Sequence, residues 1–207
     1  MDNAVALVRA YLNINGYFTV AEYPVLEALR HGGFRAATDI DILAFRFPKA
    51  KIVVSNPRRR NRQEIQDFLA PDPMLGVPTE QPDMLIGEVK EGRAVMNPAM
   101  RDAAVLSAVL ARFGCCTPEH IPHVVENLLD KGDAGSHCGH RIRMVAFGST
   151  LTDAGEGKYK TISMKHVVRF LNDYLNQYWD VLNHIQFKDP AFGFLLMLEK
   201  ALRGSRE

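Results

Sequence analysis

The sequence of 207 residues lacks the features of several protein classes. It has three cysteines, two of them adjacent at Cys115 and Cys116, which is too few for the disulfide framework of a small secreted domain. It has no run of about 18 apolar residues and no basic segment leading into an apolar one at its start. We therefore expect no membrane span, no signal peptide and a cytoplasmic location.

Neither sign of charge predominates in the sequence. Lysine and arginine total 25 against 24 aspartates and glutamates, so the formal net charge is +1 and any basic surface must be local. No Gly-x-Ser-x-Gly occurs and no glycine-rich nucleotide loop follows a predicted strand, which excludes the common serine-hydrolase and nucleotide-binding patterns. An apolar content of 47% and a charged content of 24% are those of an ordinary globular α/β domain.

One stretch, Asp83 to Glu91 (DMLIGEVKE), alternates with the period of a β-strand. The alternation places Met84, Ile86, Glu88 and Lys90 on one face. That face begins apolar and ends in a carboxylate and an ammonium, which indicates a buried strand that emerges into a cleft. A carboxylate beside a lysine at such a position can bind a hard metal ion and stabilise a phosphate near it.

A second acidic strand is predicted upstream, at Thr38 to Phe47 (TDIDILAFRF). Asp39 and Asp41 are expected on one of its faces. The apolar residues of this strand are expected on the opposite face, namely Ile40, Ile42 and Ala44. The strand therefore supplies the second acid that a metal site at Glu88 needs.

An acid-bearing strand followed by a strand that ends in Glu-x-Lys resembles the PD-(D/E)xK nuclease superfamily. In that family the acid lies in an Ile-Asp-Leu/Ile-Leu-Ala context, which points to Asp41, and Glu88 and Lys90 match the Glu-x-Lys. The resemblance implies a Mg2+-dependent (or Mn2+-dependent) nuclease that hydrolyses DNA phosphodiester bonds. It implies metal held by Asp41, Glu88 and the carbonyl of Val89, with Lys90 orienting a water or stabilising the transition state.

Two further acids are secondary candidates. Asp39 shares the predicted face of Asp41 but lies one strand step away, which favours an outer position around the metal. Glu22 lies in the preceding predicted strand, where an exposed strand residue is favoured over a third metal-facing acid.

The densest charge cluster of the sequence consists of four arginines within five positions, Arg58, Arg59, Arg60 and Arg62. One interpretation is a solvated helix start that Glu64 and Asp67 partly neutralise. The other is a loop that binds DNA phosphates near the cleft. Both interpretations remain open from the sequence.

The fold predicted around these motifs is α/β, with a mixed central β-sheet flanked by helices, and the resemblance makes it restriction-endonuclease-like. The predicted elements are a helix over 3–15, strands over 17–26 and 38–47 joined at a Gly-Gly turn, a strand over 83–91, a helix over 97–114 and a strand over 142–149. This α-β-β-β-α-β order is the core order of the family.

We expect a single domain over 1–207. Its nuclease-like core covers about 3–150 and carries an insertion at about 48–82, a proline-punctuated region. Extra C-terminal helices occupy about 161–203, one from Ser163 to about Ile185 and one from Asp189 to about Arg203. Their aromatic and methionine content favours core or dimer packing, so a homodimer is left open.

A competing metal site is suggested by seven cysteines and histidines within 26 residues, Cys115, Cys116, His120, His123, His137, Cys138 and His140. Zinc needs four ligands arranged tetrahedrally, and no pair here has Cys-x2-Cys spacing. We therefore predict no stoichiometric metal in this stretch, while a zinc-stabilised nucleic-acid adaptor remains an alternative function. A further alternative is a catalytically inactive module of the same fold that binds nucleic acid or protein.

Overall fold

A mixed six-stranded sheet separates two helical layers in the computed structural model, which describes residues 2–50, 53–54, 66–67, 71–151 and 158–204. The strands are β1 Phe18–Ala28, β2 Phe34–Arg46, β3 Val53–Val54, β4 Gln66–Asp67, β5 Asp83–Arg93, β6 Asp133–Gly135, β7 Arg141–Thr150 and β8 Lys160–Ser163. The α-helices are α1 Asn3–Ile14, α2 Ala103–Phe113, α3 Ile121–Lys131, α4 Met164–Gln177, α5 Trp179–Leu182 and α6 Pro190–Arg203. The prediction of an α/β fold with a mixed, helix-flanked sheet is confirmed.

Strand order in the sheet is β1-β2-β5-β7-β6, with β8 also paired to β7, while β3 and β4 form a separate two-stranded sheet. β1 and β2 form the predicted hairpin, and β5 runs parallel to β7 from the pair Asp83–Arg141 to the pair Lys90–Gly148. β5 therefore lies in the centre of the sheet. All of its residues from Asp83 to Val89 are buried, as the apolar alternation predicted.

The two faces of β5 pack into different cores. Leu85 and Val89 contact the layer of α1, α4 and α6, whereas Met84 and Ile86 contact the layer of α2 and α3. This alternation matches the prediction for β5. It is broken in β2, because Ile40 packs with the second core while Ile42 and Ala44 pack with the first, so the predicted common face of these three residues is wrong.

That break in β2 has a local cause. β2 pairs with β5 only from Ile42 to Arg46. On the other side of β2, the β1 residue opposite Asp41 is Glu22, whose φ is 53°. A left-handed residue in a strand changes the direction of the chain, and the loss of the β5 partner removes the constraint on side-chain alternation.

Several predicted boundaries are corrected. Asn97 accepts a hydrogen bond from the N–H of Ala99 and begins only a short 3-10 turn, Pro98–Arg101, whereas Asp102 caps α2 by accepting from the N–H of Ala104 at 2.7 Å. α4 begins at the predicted Ser163 cap but ends at Gln177 rather than near Ile185. The prediction of α6 from the Asp189 cap to Arg203 is confirmed.

Four elements were not predicted, namely α3, β4, β6 and β8. α3 follows a proline-initiated 3-10 turn, Pro118–His120. The apolar residues of α3 recur with helical spacing at Ile121, Val124, Val125, Leu128 and Leu129, so the sequence carried a helix signal that was missed. β6 and β8 are three and four residues long and are held by pairing to β7 rather than by their own pattern. Across the described parts of the chain, no helix is both long and apolar enough to cross a membrane.

Candidate active site

β2 and β5 separate directly beside the two predicted acids. Their last ladder pair is Ile42 with Gly87, and the next amide of β5 to face β2 belongs to Val89. That N–H does not bond to the β2 backbone but to the side chain, since it donates to Oδ2 of Asp41 at 2.7 Å. Asp41 therefore holds the two strands together at the point where the backbone ladder ends.

Glu88 lies in this opening with almost no solvent contact. Its side chain is 2% exposed, and Lys90, on the same face of β5, forms an ion pair with it through Nζ and is itself 41% exposed. Asp41 and Glu88 are close enough to share a hydrogen bond when Glu88 is protonated. The structure thus brings Asp41, Glu88 and Lys90 together, although Asp41 is 47 positions from Glu88 in the sequence.

Burial raises the pKa of the Glu88 carboxyl, and the negative charge of Asp41 raises it further, while Lys90 acts in the opposite direction. The pKa of Lys90 would be lowered by its partial burial, but the hydrogen bond and the charge of Glu88, together with Asp41, raise it. Lys90 therefore stays protonated. One cation does not fully compensate two adjacent carboxylates, and the site favours an additional positive charge.

The secondary candidates are placed less favourably. Asp39 is exposed and lies opposite Pro24 of β1, two residues farther from the β5 ladder than Asp41. Glu22 is exposed and lies in β1 at the position that faces Asp41, with the left-handed backbone described above. These positions do not test a role for either Asp39 or Glu22, and both remain secondary candidates.

The donor set around Glu88 is small. Among the residues that the structure describes, no group of three or more histidine, cysteine, aspartate or glutamate side chains is arranged to hold a metal ion. The side-chain donors here are the two carboxylates of Asp41 and Glu88, and the backbone carbonyl of Val89 is the third ligand that the resemblance implies. Mg2+ is commonly held by one or two carboxylates, with water and substrate phosphate completing the shell, so this set fits such an ion.

The four predicted phosphate-binding arginines, Arg58, Arg59, Arg60 and Arg62, lie outside the described residues. The two interpretations of this cluster therefore stay open as predictions.

The Cys/His stretch has its own local contacts. Cys115 is buried, Cys116 is half-buried and Cys138 is exposed, and all three are free thiols. Burial, with the neighbouring Cys116, raises the pKa of the Cys115 thiol to about 12. The rings of His120 and His137 stack with centroids 3.9 Å apart. Because a thiol must deprotonate to bind zinc, this environment disfavours Cys115 as a ligand, and the absence of metal here stays a prediction.

A buried ion-pair network near the start of β5 had no sequence signal. Arg143 of β7 donates from Nε to Oδ1 of Asp83 at 2.9 Å and from Nη1 to the carbonyl of Leu75 at 2.7 Å. Tyr17 donates its hydroxyl to the same Asp83 carboxylate. Asp83 thus holds Arg143 in place, and Arg143 in turn ties the 71–82 segment to the sheet through the Leu75 carbonyl.

A second buried carboxylate, Asp72, lies in the same segment. It accepts from the Tyr11 hydroxyl at 2.7 Å and from the Met74 N–H at 2.9 Å, and its other side-chain partner is Nε2 of His166. Burial would raise the pKa of Asp72, but these hydrogen bonds outweigh it and lower the pKa. The predicted insertion is therefore tied to α1 and α4 by polar contacts that no short motif encodes.

Comparison with known proteins adds no assignment. No protein-family model, no curated protein and no solved structure matches the chain. A function can therefore only be proposed, from the geometry of Asp41, Glu88 and Lys90.

Proposed function

We propose that this protein is a metal-dependent nuclease that hydrolyses DNA phosphodiester bonds on a restriction-endonuclease-like fold. The observation that carries the proposal is the convergence of Asp41, Glu88 and Lys90 where β2 and β5 separate. Two carboxylates and one ammonium at the end of buried strands match the acid and Glu-x-Lys pattern read from the sequence. The order of the core elements α1, β1, β2, β5, α2 and β7 supports the same fold.

The site suits a divalent cation. Glu88 is buried beside a second acid, and this arrangement is unfavourable unless positive charge is added. Asp41 and Glu88, with the carbonyl of Val89, would hold Mg2+ or Mn2+. When bound, such an ion lowers the pKa of a water and neutralises charge on the phosphate.

The remaining work falls to the protein's own groups. Lys90 is protonated and partly exposed, so its ammonium can contact a phosphate oxygen or hold a water in line with the phosphorus. Asp41 keeps β2 at a fixed distance from β5 by accepting the Val89 N–H, which fixes the position of Glu88. This preorganisation favours catalysis over a binding module of the same fold, because an inactive site gains nothing from a buried, destabilised carboxylate.

The test is a cleavage assay on single-stranded, double-stranded and branched DNA with Mg2+ or Mn2+. We expect cleavage by the wild-type protein and a loss of at least about a hundredfold in Glu88→Gln and Asp41→Asn, which keep the size of each side chain. Glu91→Gln is the matched control, because Glu91 is an exposed carboxylate on the same strand. Equal cleavage by Glu88→Gln and Glu91→Gln would contradict the proposal, as would a wild-type protein that cuts none of these DNA forms.

A further inference from the structure

The β1–β2 hairpin extends well beyond the sheet. β2 pairs with β5 only from Ile42 onward, yet β1 and β2 continue to pair as far as Ala28 and Phe34. We call residues Leu26 to Ala36 the arm. Every arm residue except the half-buried Glu27 is exposed, and Leu26 and Phe34 are 65% and 77% exposed. The arm therefore projects from the folded core instead of packing on it.

The arm is held in one conformation by its own backbone. The N–H of Leu29 donates to the carbonyl of Gly33 at 3.0 Å, and the N–H of Gly32 donates to the carbonyl of Leu29 at 3.1 Å. Gly32 and Gly33 have φ values of 86° and 89°, which side-chain-bearing residues rarely adopt. A closed turn of this kind makes the arm a preformed two-stranded ribbon, so little conformational entropy is lost on binding.

The two faces of the ribbon differ in chemistry. Register pairs Leu26 with Ala36 and Ala28 with Phe34, so these four residues lie on one face, which is apolar. Glu27 pairs with Arg35 on the other face, where the two side chains form an ion pair. Arg30 and His31 occupy the exposed tip. The formal charge of the arm is positive, with two arginines against one glutamate.

We propose that the arm enters the major groove of double-stranded DNA bound at the candidate site, an inference that rests on the proposed nuclease function. A two-stranded ribbon fits the major groove of B-form DNA, while the deep, narrow major groove of A-form RNA excludes it. Arg30 and Arg35 would contact phosphates on either side of the groove. The exposed apolar face, with Phe34 and Leu26, meets the thymine methyl groups that line the groove.

The position of the arm relative to Asp41 sets its reach. Asp41 and Phe34, the first residue of β2 after the turn, lie seven residues apart on that strand, which corresponds to about 23 Å at about 3.3 Å per residue. At about 3.4 Å per base pair, the tip contacts the duplex about seven base pairs from the phosphate bound at Asp41 and Glu88. The arm would therefore select substrates that are double-stranded on that side of the cut.

The test is fluorescence anisotropy with a labelled DNA duplex of roughly two helical turns, in EDTA so that cleavage does not interfere. Arg30→Ala/Arg35→Ala is compared with Lys165→Ala/Arg169→Ala, which removes two positive charges from exposed positions of α4. We expect the arm variant to reduce the salt slope by about two units and the affinity roughly tenfold, with little change in the control. Arg30→Lys/Arg35→Lys should restore the slope, because the charges are kept.

The arm proposal is overturned if the arm variant and the α4 variant bind alike, or if the wild-type protein does not bind the duplex at low salt. Equal, arm-dependent binding of double-stranded RNA also overturns it. The proposal is also overturned if Phe34→Ser changes the molecular mass measured by sedimentation without changing DNA binding, since the arm is then a protein interface. Arm-dependent DNA binding without any cleavage supports the arm proposal and contradicts the proposed nuclease function. Cleavage that the arm variant leaves unchanged supports the nuclease function and contradicts the arm proposal.

Discussion

The N–H of Val89 donates to the Asp41 carboxylate at 2.7 Å, in place of the backbone bond that the β2–β5 ladder would otherwise supply. One oxygen of the Asp41 carboxylate, Oδ2, therefore accepts a structural hydrogen bond, and the other oxygen remains available to a ligand. This arrangement explains how a half-buried acid can be both a structural link between two strands and a member of a candidate metal site.

Substitutions at Asp41 should separate these two contributions. Relief of charge repulsion with Glu88 alone would favour Asp41→Ala, but alanine leaves the buried Val89 N–H without its acceptor, which costs about 1–3 kcal/mol. Asp41→Asn keeps an acceptor oxygen and should retain most of the stability while losing the charge. Urea unfolding at neutral pH measures both variants, and equal stability of the two would show that the hydrogen bond contributes nothing.

Glu88→Gln should stabilise the protein in a pH-dependent way. Because the folded pKa of Glu88 is raised, its contribution to stability is fully present below the unfolded pKa and is lost as the pH rises through the folded pKa. Glutamine cannot ionise, so the melting temperature of Glu88→Gln minus that of the wild type should increase between about pH 4 and about pH 8.

The control for that measurement is Glu91→Gln, at an exposed position of the same strand, for which we expect a melting-temperature difference that changes much less with pH.

Lys90→Met should change the stability in the opposite direction. It removes the cation that partners Glu88, so the stability should fall more at about pH 8 than at about pH 4. A pH-independent effect of Glu88→Gln would show that Glu88 titrates normally in the folded state.

Gly148 is expected to tolerate no side chain. A Cβ atom there would lie 2.5 Å from the backbone nitrogen of Ala94, where the chain crosses over β7 after leaving β5. Gly148→Ala therefore forces a backbone shift next to Lys90, its register partner. We expect a loss of about 2 kcal/mol or more by urea unfolding. Gly135→Ala is the control, because a Cβ at Gly135 has no atom within 4 Å, and an equal effect of both changes would contradict this explanation.

Arg143→Met should be among the most destabilising single changes. Asp83 is 1% exposed and would lose its charged partner, and an uncompensated buried charge of this kind costs about 3–5 kcal/mol. Arg141 lies two residues before Arg143 on β7 and forms a partly exposed ion pair with Asp133, so Arg141→Met should cost about 1 kcal/mol or less. Denaturant unfolding of both variants checks the difference, and a similar cost for the two would mean that Asp83 is accommodated without Arg143.

The central strand and the acids were predictable because their signal is local. In β5 the alternation of Met84 and Ile86 with Leu85 and Val89 identifies both a strand and its faces. The charges of Glu88 and Lys90 stand out against that apolar pattern. The hairpin was predictable for the same reason, since the Gly32-Gly33 pair marks its turn.

Features that depend on pairing between distant segments were not predictable. The acceptor for the Val89 N–H is 48 positions away at Asp41, and the Arg143 network joins Tyr17, Leu75 and Asp83 across up to 126 positions. The left-handed φ of Glu22 has no residue signature, because glutamate rarely adopts it. Short strands such as β6 and β8 form only because β7 offers them a ladder, so their own residues carry little information.

The most direct measurement of the central claim is Mn2+ binding, by titration calorimetry, together with DNA cleavage by the same protein preparations. If Asp41 and Glu88 hold the cation and Lys90 acts on the water or phosphate, Glu88→Gln should lose both Mn2+ binding and cleavage. Lys90→Ala should lose cleavage but still bind Mn2+, because an ammonium is not a metal ligand. A Glu88→Gln protein that binds Mn2+ as the wild type does, or a Lys90→Ala protein that cleaves at the wild-type rate, would contradict the account.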